Sequence, residues 1–168
     1  VDIPASCTSI AGNPFQGCQS LEEIVVDENN PNYSSADGVL YDKDKTTLIG
    51  WPTAEGEIDI MPSVTTIGEE AFRYCFALTS VSMPSVTTIG DYAFNACEAL
   101  TSVSMPSVTT IGDEAFMYCN ALTSVSMPEV TTIGNWAFYS CDDLTSVEMP
   151  SVTTIGDYAF NACEALTS

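Results

Sequence analysis

Seven cysteines and 23 carboxylates are the side chains here whose chemistry could reach beyond packing, and no histidine accompanies them. A thiolate metal site needs ligands converging from close spacing, usually with C-x-x-C or histidine among them, and neither occurs. Without histidine no Ser-His or Cys-His nucleophile can be assembled, which leaves only Ser-Lys pairs and carboxylate pairs. Paired acid–base work asks for two carboxylates in contrasting surroundings, whereas most acids here recur at equivalent places along the chain. Repetition of that kind argues against a single active site, so no catalytic residue, cofactor or metal is expected. One oxygen-rich stretch, Asp42-x-Asp44 near Asp27, Glu28, Asn29 and Asn30, has ligands that suit calcium. It lacks the EF-hand spacing, and Lys43 and Lys45 sit within it, so it reads as a solvated acidic turn.

The elements that must position these groups follow from an internal repeat. Met-Pro occurs at 61, 83, 105, 127 and 149, each step being 22 residues. Residues 83–102 and 149–168 are identical. Self-similarity of this period marks a solenoid. Within a copy, Leu78-x-x-Val81-x-Met83 has leucine-rich-repeat spacing, so Val81 and Met83 point inward while Ser80 and Ser82 point out. Pro84 then ends the pairing, and Val86 to Ile89 forms a second short extended piece. Gly90 is expected to turn the corner at positive φ, and Asp91 to open a short helical turn, as do Glu69, Asp113, Asn135 and Asp157. Ala93, Phe94 and Cys97 suit the inner side of that turn. Six of the cysteines, Cys18, Cys75, Cys97, Cys119, Cys141 and Cys163, occupy this one slot, and Cys7 takes an inner position of the first coil. They are expected to be buried free thiols that pack as small hydrophobes.

The expected fold is therefore a leucine-rich-repeat solenoid: a right-handed stack of 22-residue coils with short parallel strands and short helical turns, plus an inserted β-hairpin. As one domain over 1–168 it comprises a divergent first coil at 3–26, an insertion at 27–60 with the hairpin over Val39 to Ile49, and five repeats over 61–168, the last truncated after LTS. Its truncated last repeat and its start at Val1 fit a fragment of a longer protein.

The string PSVTTIGDYAFNACEALTSV, joined to DENNPNYSSADGVLYDKDKTTLIGWP at 27–52, resembles the BspA-like leucine-rich repeat family of bacterial surface proteins. The likeness extends over essentially the whole chain, although these coils are one residue shorter than the commoner 23-residue form. It implies a curved solenoid with strands on the concave side, a place at the cell surface or outside the cell, and work as an adhesin or interaction protein.

Three basic residues against 23 acidic ones leave a net charge of −20. Such a field repels phosphate backbones, so nucleic acid is a poor partner, and no apolar run approaches the ~20 residues of a membrane span. The copies from 61 onward are constant in 13 of their first 20 columns and vary most at the tenth, thirteenth, fourteenth and sixteenth. Columns ten, thirteen and fourteen would share the outward side of a helical turn, and they carry Tyr74, Tyr92, Met117, Tyr118, Trp136, Tyr139 and Tyr158. Tyrosine and tryptophan make rigid, amphipathic contacts, so these seven residues are the expected protein-binding site. The competing explanations are neutral drift in that face, a structural spacer, and glycan binding along the repeated serine and threonine columns. A host extracellular-matrix or surface protein is the expected partner.

Overall fold

Successive Leu-x-x-Val-x-Met segments lie side by side in the computed structural model, which describes residues 1–167. Gly56–Asp59, Leu78–Ser82 and Ser102–Ser104 pair in parallel, with Val103 opposite Val81 and Ser104 opposite Ser82. Ser124–Ser126 and Ser146–Glu148 continue the same face as a separate parallel pair. A second sheet is built from the threonine-isoleucine pieces: Thr66–Ile67, Thr88–Ile89, Thr110–Ile111, Thr132–Ile133 and Thr154–Ile155 align residue for residue. Identical side chains therefore stack directly over one another. The valine, isoleucine, alanine, phenylalanine, cysteine and leucine columns of the middle coils are buried, most of them completely.

Stacking sets the core geometry. Phe72, Phe94, Phe116, Phe138 and Phe160 form one column with centroids 4.9–5.2 Å apart and planes within 7° of parallel. That spacing is close to the inter-strand distance, so the rings are held face to face by the ladder despite the intrinsic preference of aromatic pairs for offset or edge contacts. Trp51 closes the column at one end, 6.0 Å from Phe72 and tilted by 41°.

The insertion is larger than a hairpin. Val39–Asp42 and Thr47–Gly50 pair antiparallel as expected, but Tyr33–Ala36 adds a further antiparallel strand on the outside. Thr47–Gly50 then joins Thr66–Ile67 in parallel, so the insertion extends the threonine-isoleucine sheet instead of looping away. Asp42 holds the turn by accepting from the Thr46 and Thr47 N–H groups at 2.7 and 3.0 Å and from the Thr46 hydroxyl. Burial alone would raise its carboxyl pKa, but those hydrogen bonds hold it below the ordinary value.

The first coil has its own small core of Ile3, Ile24 and Leu40, backed by Phe15, Leu21 and Ile49. It is tied to the repeats through Asn13, which is buried and donates to the Glu70 and Ala71 carbonyls at 3.0 and 3.3 Å. Gly50 makes this possible, since a Cβ there would lie 2.6 Å from the Asn13 side-chain oxygen.

Two local expectations are corrected. No helix forms among the described residues, and the segment from Asp91 to Cys97 is a run of turns. The N–H groups of Tyr92, Phe94 and Ala96 donate to the Asp113, Ala115 and Met117 carbonyls of the next coil, at 2.7–2.9 Å. Those donors are consumed laterally and cannot serve an i→i−4 ladder, and a segment this short does not repay helix nucleation. Asp91 likewise caps no helix of its own: its carboxylate accepts from the Asp113 N–H at 2.8 Å, Asp113 from Asn135 at 2.7 Å, and Asn135 from Asp157 at 2.8 Å. Gly90 does not adopt positive φ either. A Cβ at Gly90 would meet the Glu69 nitrogen at 2.9 Å, and one at Gly112 would meet the Asp91 carboxylate at 2.4 Å. Glycine stands there because adjacent coils touch backbone to backbone. Positive φ falls instead on the variable tenth and fourteenth columns, where all ten residues from Glu70 to Ala162 lie between 51° and 65°.

Candidate interaction surface

The run of turns decides which side chains reach solvent. Columns eleven, twelve and fifteen turn inward as Ala, Phe and Cys, and columns ten, thirteen and fourteen are left on the outside of the stack. All seven aromatic and methionine positions expected at a binding site lie on these columns, but the structure groups them into clusters and not into one continuous band. Trp136 stacks on Tyr158 with centroids 5.7 Å apart and planes 8° from parallel. Tyr118 meets Tyr139 edge to face at 5.9 Å. Tyr158, Tyr118 and Trp136 are 60%, 42% and 38% exposed. Met117 and Tyr139 are half-buried beside them.

Tyr74 and Tyr92 belong to a second cluster. The Arg73 guanidinium lies between their rings, 4.8 Å from the first centroid and 5.0 Å from the second. Its charge is paired with Glu70, whose other oxygen accepts from Gln16 of the first coil at 3.0 Å. Both tyrosines are half-buried under this cation. The Tyr92 hydroxyl also lies against Glu114, and the hydrogen bond and charge of that carboxylate raise its pKa above the ordinary phenol value. Between the clusters, Asn95 and Ala96 are buried and interrupt the aromatic surface. Arg73 fills the thirteenth column, and its seat between two rings depends on neighbouring coils, which spacing along the chain does not reveal.

The opposite, serine-bearing face is shallow. Ser80, Ser82, Ser102 and Ser104 border one depression together with Glu57 and Asp59, and Ser124, Ser126, Ser146 and Glu148 border another. Threonine hydroxyls are committed to the framework: Thr87, Thr109, Thr131 and Thr153 each donate to the threonine carbonyl one coil earlier, at 3.1–3.2 Å. Thr101 and Thr145 do the same along the serine face at 3.0 Å.

All seven cysteines are free, and the buried thiols have a hydrogen-bonding role. Cys97, Cys119 and Cys141 donate to the Phe72, Phe94 and Phe116 carbonyls of the preceding coil at 3.1–3.2 Å. Burial raises the Cys75 thiol to about 12 and pushes the Cys97 and Cys119 thiols upward as well. The column is less uniform than expected, because Cys18 is exposed and Cys7 and Cys163 are only half-buried. Among the described residues no group of three or more histidine, cysteine or acidic side chains converges to hold a metal ion. Asp42 is occupied by its turn, and Lys43 caps the Asn30 and Glu28 carbonyls at 2.6 and 3.2 Å.

The model of the BspA-type leucine-rich repeat region matches residues 1–37 and 54–167 in six copies. Among solved structures, a leucine-rich cell surface protein from Faecalibacterium prausnitzii is 35% identical, with a TM-score of 0.88 over 99% of this chain and 46% of its own. A leucine-rich repeat protein from Eubacterium ventriosum is 30% identical, with a TM-score of 0.75 over 99% of this chain and 53% of its own. The pneumococcal vaccine antigen PcpA shares the fold at 23% identity and a TM-score of 0.82, over 99% of this chain and 43% of its own. The chain thus spans about half the length of each. No curated protein matches it by sequence.

Proposed function

Because the chain belongs to the BspA-type leucine-rich repeat family, we propose that it is a non-enzymatic, protein-binding solenoid of a cell-surface or secreted protein, acting in adhesion through the face of its turn segments. One observation carries this reading: the repeat's constant apolar side chains, apart from proline, make up the buried core of the middle coils, while the columns that differ between copies put Trp136, Tyr158 and Tyr118 into solvent as packed pairs. Ring pairs held at fixed geometry lose little conformational entropy on binding, which suits a recognition surface. A relative described as a leucine-rich cell surface protein supports the location.

The test is a pull-down of host extracellular-matrix and surface proteins with this chain beside a Trp136→Ala/Tyr139→Ala double variant of unchanged melting behaviour. Capture that disappears with the two rings is the expected result. Equal capture by both proteins moves binding to another surface, and no capture by either favours a spacer. Glycan binding along the serine face is the competing reading; it predicts a loss when Ser82, Ser104 and Ser126 are enlarged and none when the rings are removed. On that face the Thr101 and Thr145 hydroxyls count against it, since a sugar would have to compete there with bonds already made.

A further inference from the structure

The surroundings of Arg73 recur 44 residues later without the cation. Glu70, Tyr74 and Tyr92, which hold the Arg73 guanidinium, correspond column for column to Glu114, Tyr118 and Trp136, and Arg73 itself corresponds to Met117. The backbone is the same at both places, with φ of 58°, 65° and 57° in the first set and 54°, 63° and 51° in the second. In each set the carboxylate faces the coil before it, Glu70 accepting from Gln16 and Glu114 lying near the Tyr92 hydroxyl. The occupant differs, and so do two neighbours: Asn95 and Phe76, beside the first set, correspond to Tyr139 and Asn120. Tyr74 and Tyr92 are half-buried beneath the guanidinium, whereas Tyr118 and Trp136 are exposed.

We propose that Glu114, Tyr118 and Trp136 form a seat for an arginine side chain on a basic segment of a partner protein. The proposal rests on the reading of this face as the binding surface and names the chemistry it selects. Two flanking rings suit a planar guanidinium, which stacks on aromatic faces and pairs with a carboxylate at once, better than they suit a compact ammonium. The rings are already held for it, Tyr118 by Tyr139 and Trp136 by Tyr158. Met117 has an unbranched, adaptable side chain that can lie along the seat without filling it with charge. A net charge of −20 draws basic segments toward the surface from a distance.

The experiment is a titration of the protein with a tetra-arginine peptide at near-physiological salt, following the Trp136 indole N–H by NMR and the affinity by calorimetry. Parent and Met117→Leu are expected to bind alike. Met117→Arg supplies the seat with its own guanidinium, in an arrangement the fold already contains at Arg73; it is expected to weaken binding about tenfold or more and to shift the indole signal before any peptide is added. Glu114→Gln, which keeps the side-chain shape, is expected to weaken binding several-fold, so the seat remains testable if Met117→Arg does not fold. Binding by Met117→Arg equal to that of the parent overturns the proposal, because one added positive charge against −20 scarcely changes diffuse attraction. Absence of peptide binding by the parent overturns it too. If the protein partner is lost with Trp136→Ala/Tyr139→Ala but retained by Met117→Arg, the face is a binding surface and the arginine seat alone is refuted.

Discussion

At the residue scale, the cysteine column and the positive-φ columns make separate demands that measurements can isolate. A thiol raised to about 12 on burial, as at Cys75, stays protonated in the fold at pH values where an unfolded chain ionises it. The folded state then holds more protons than the unfolded one, so stability is complete below the ordinary thiol pKa and falls as pH rises through the alkaline range, by about 1.4 kcal/mol per pH unit per thiol. Denaturant unfolding between pH 7 and pH 11 should show this decline, and Cys119→Ala should flatten it by one thiol's share while removing one bond to the Phe94 carbonyl. Positive φ predicts the opposite kind of change. Ser140 has φ of 52°, a conformation that disfavours any residue with a Cβ. Ser140→Gly retains the N–H that donates to Asn161 at 3.0 Å and should raise unfolding free energy by about 1 kcal/mol, readable in a urea titration. Residue identity alone pointed to buried thiols, but the left-handed columns lay hidden because Tyr, Glu, Trp and Ser are not the residues that mark such turns.

At the scale of elements, the ladder between coils replaces hydrogen bonds within them. Each coil closes its turn segment by donating from alternate residues to the next coil, and the glycine column brings those backbones together. Gly112→Ala places a methyl 2.4 Å from the Asp91 carboxylate and 2.7 Å from its backbone nitrogen, so the coils must separate there. The expected cost is about 1–3 kcal/mol, measured as a lowered denaturation midpoint. Gly50→Ala should be comparably damaging for a different reason, since it displaces the Asn13 side chain and leaves the Glu70 and Ala71 carbonyls without that donor. The strands and the hairpin were legible from Leu-x-x-Val-x-Met and from Val39 to Ile49. The turn segment was not, because Ala93, Phe94 and Cys97 at i, i+1 and i+4 satisfy a helical turn as well as they satisfy this one, and the arbiter is a carbonyl 21 residues away.

Over the whole molecule, 20 uncompensated negative charges oppose compaction, and among the described residues Arg73–Glu70 is the one ion pair between side chains. Raising salt from about 0.01 M to about 1 M shortens the Debye length from roughly 30 Å to roughly 3 Å, which removes most of this repulsion. The melting temperature should rise by at least about 2–4 °C, the shift that corresponds to 1 kcal/mol for a chain of this size, and a flat or falling response would show that self-repulsion is not a significant term. By itself the sequence determined the coil length, the stacked core, the family and the set of side chains left free to vary, because a 22-residue repeat can bury its apolar columns only against its own copies. Tertiary structure alone decided what those free side chains do: glycine as a point of backbone contact, aspartate as a cap for the next coil, and the exposed rings as pairs. Each of these depends on a neighbour one coil away, a proximity that spacing along the chain does not specify until the coils are stacked in register.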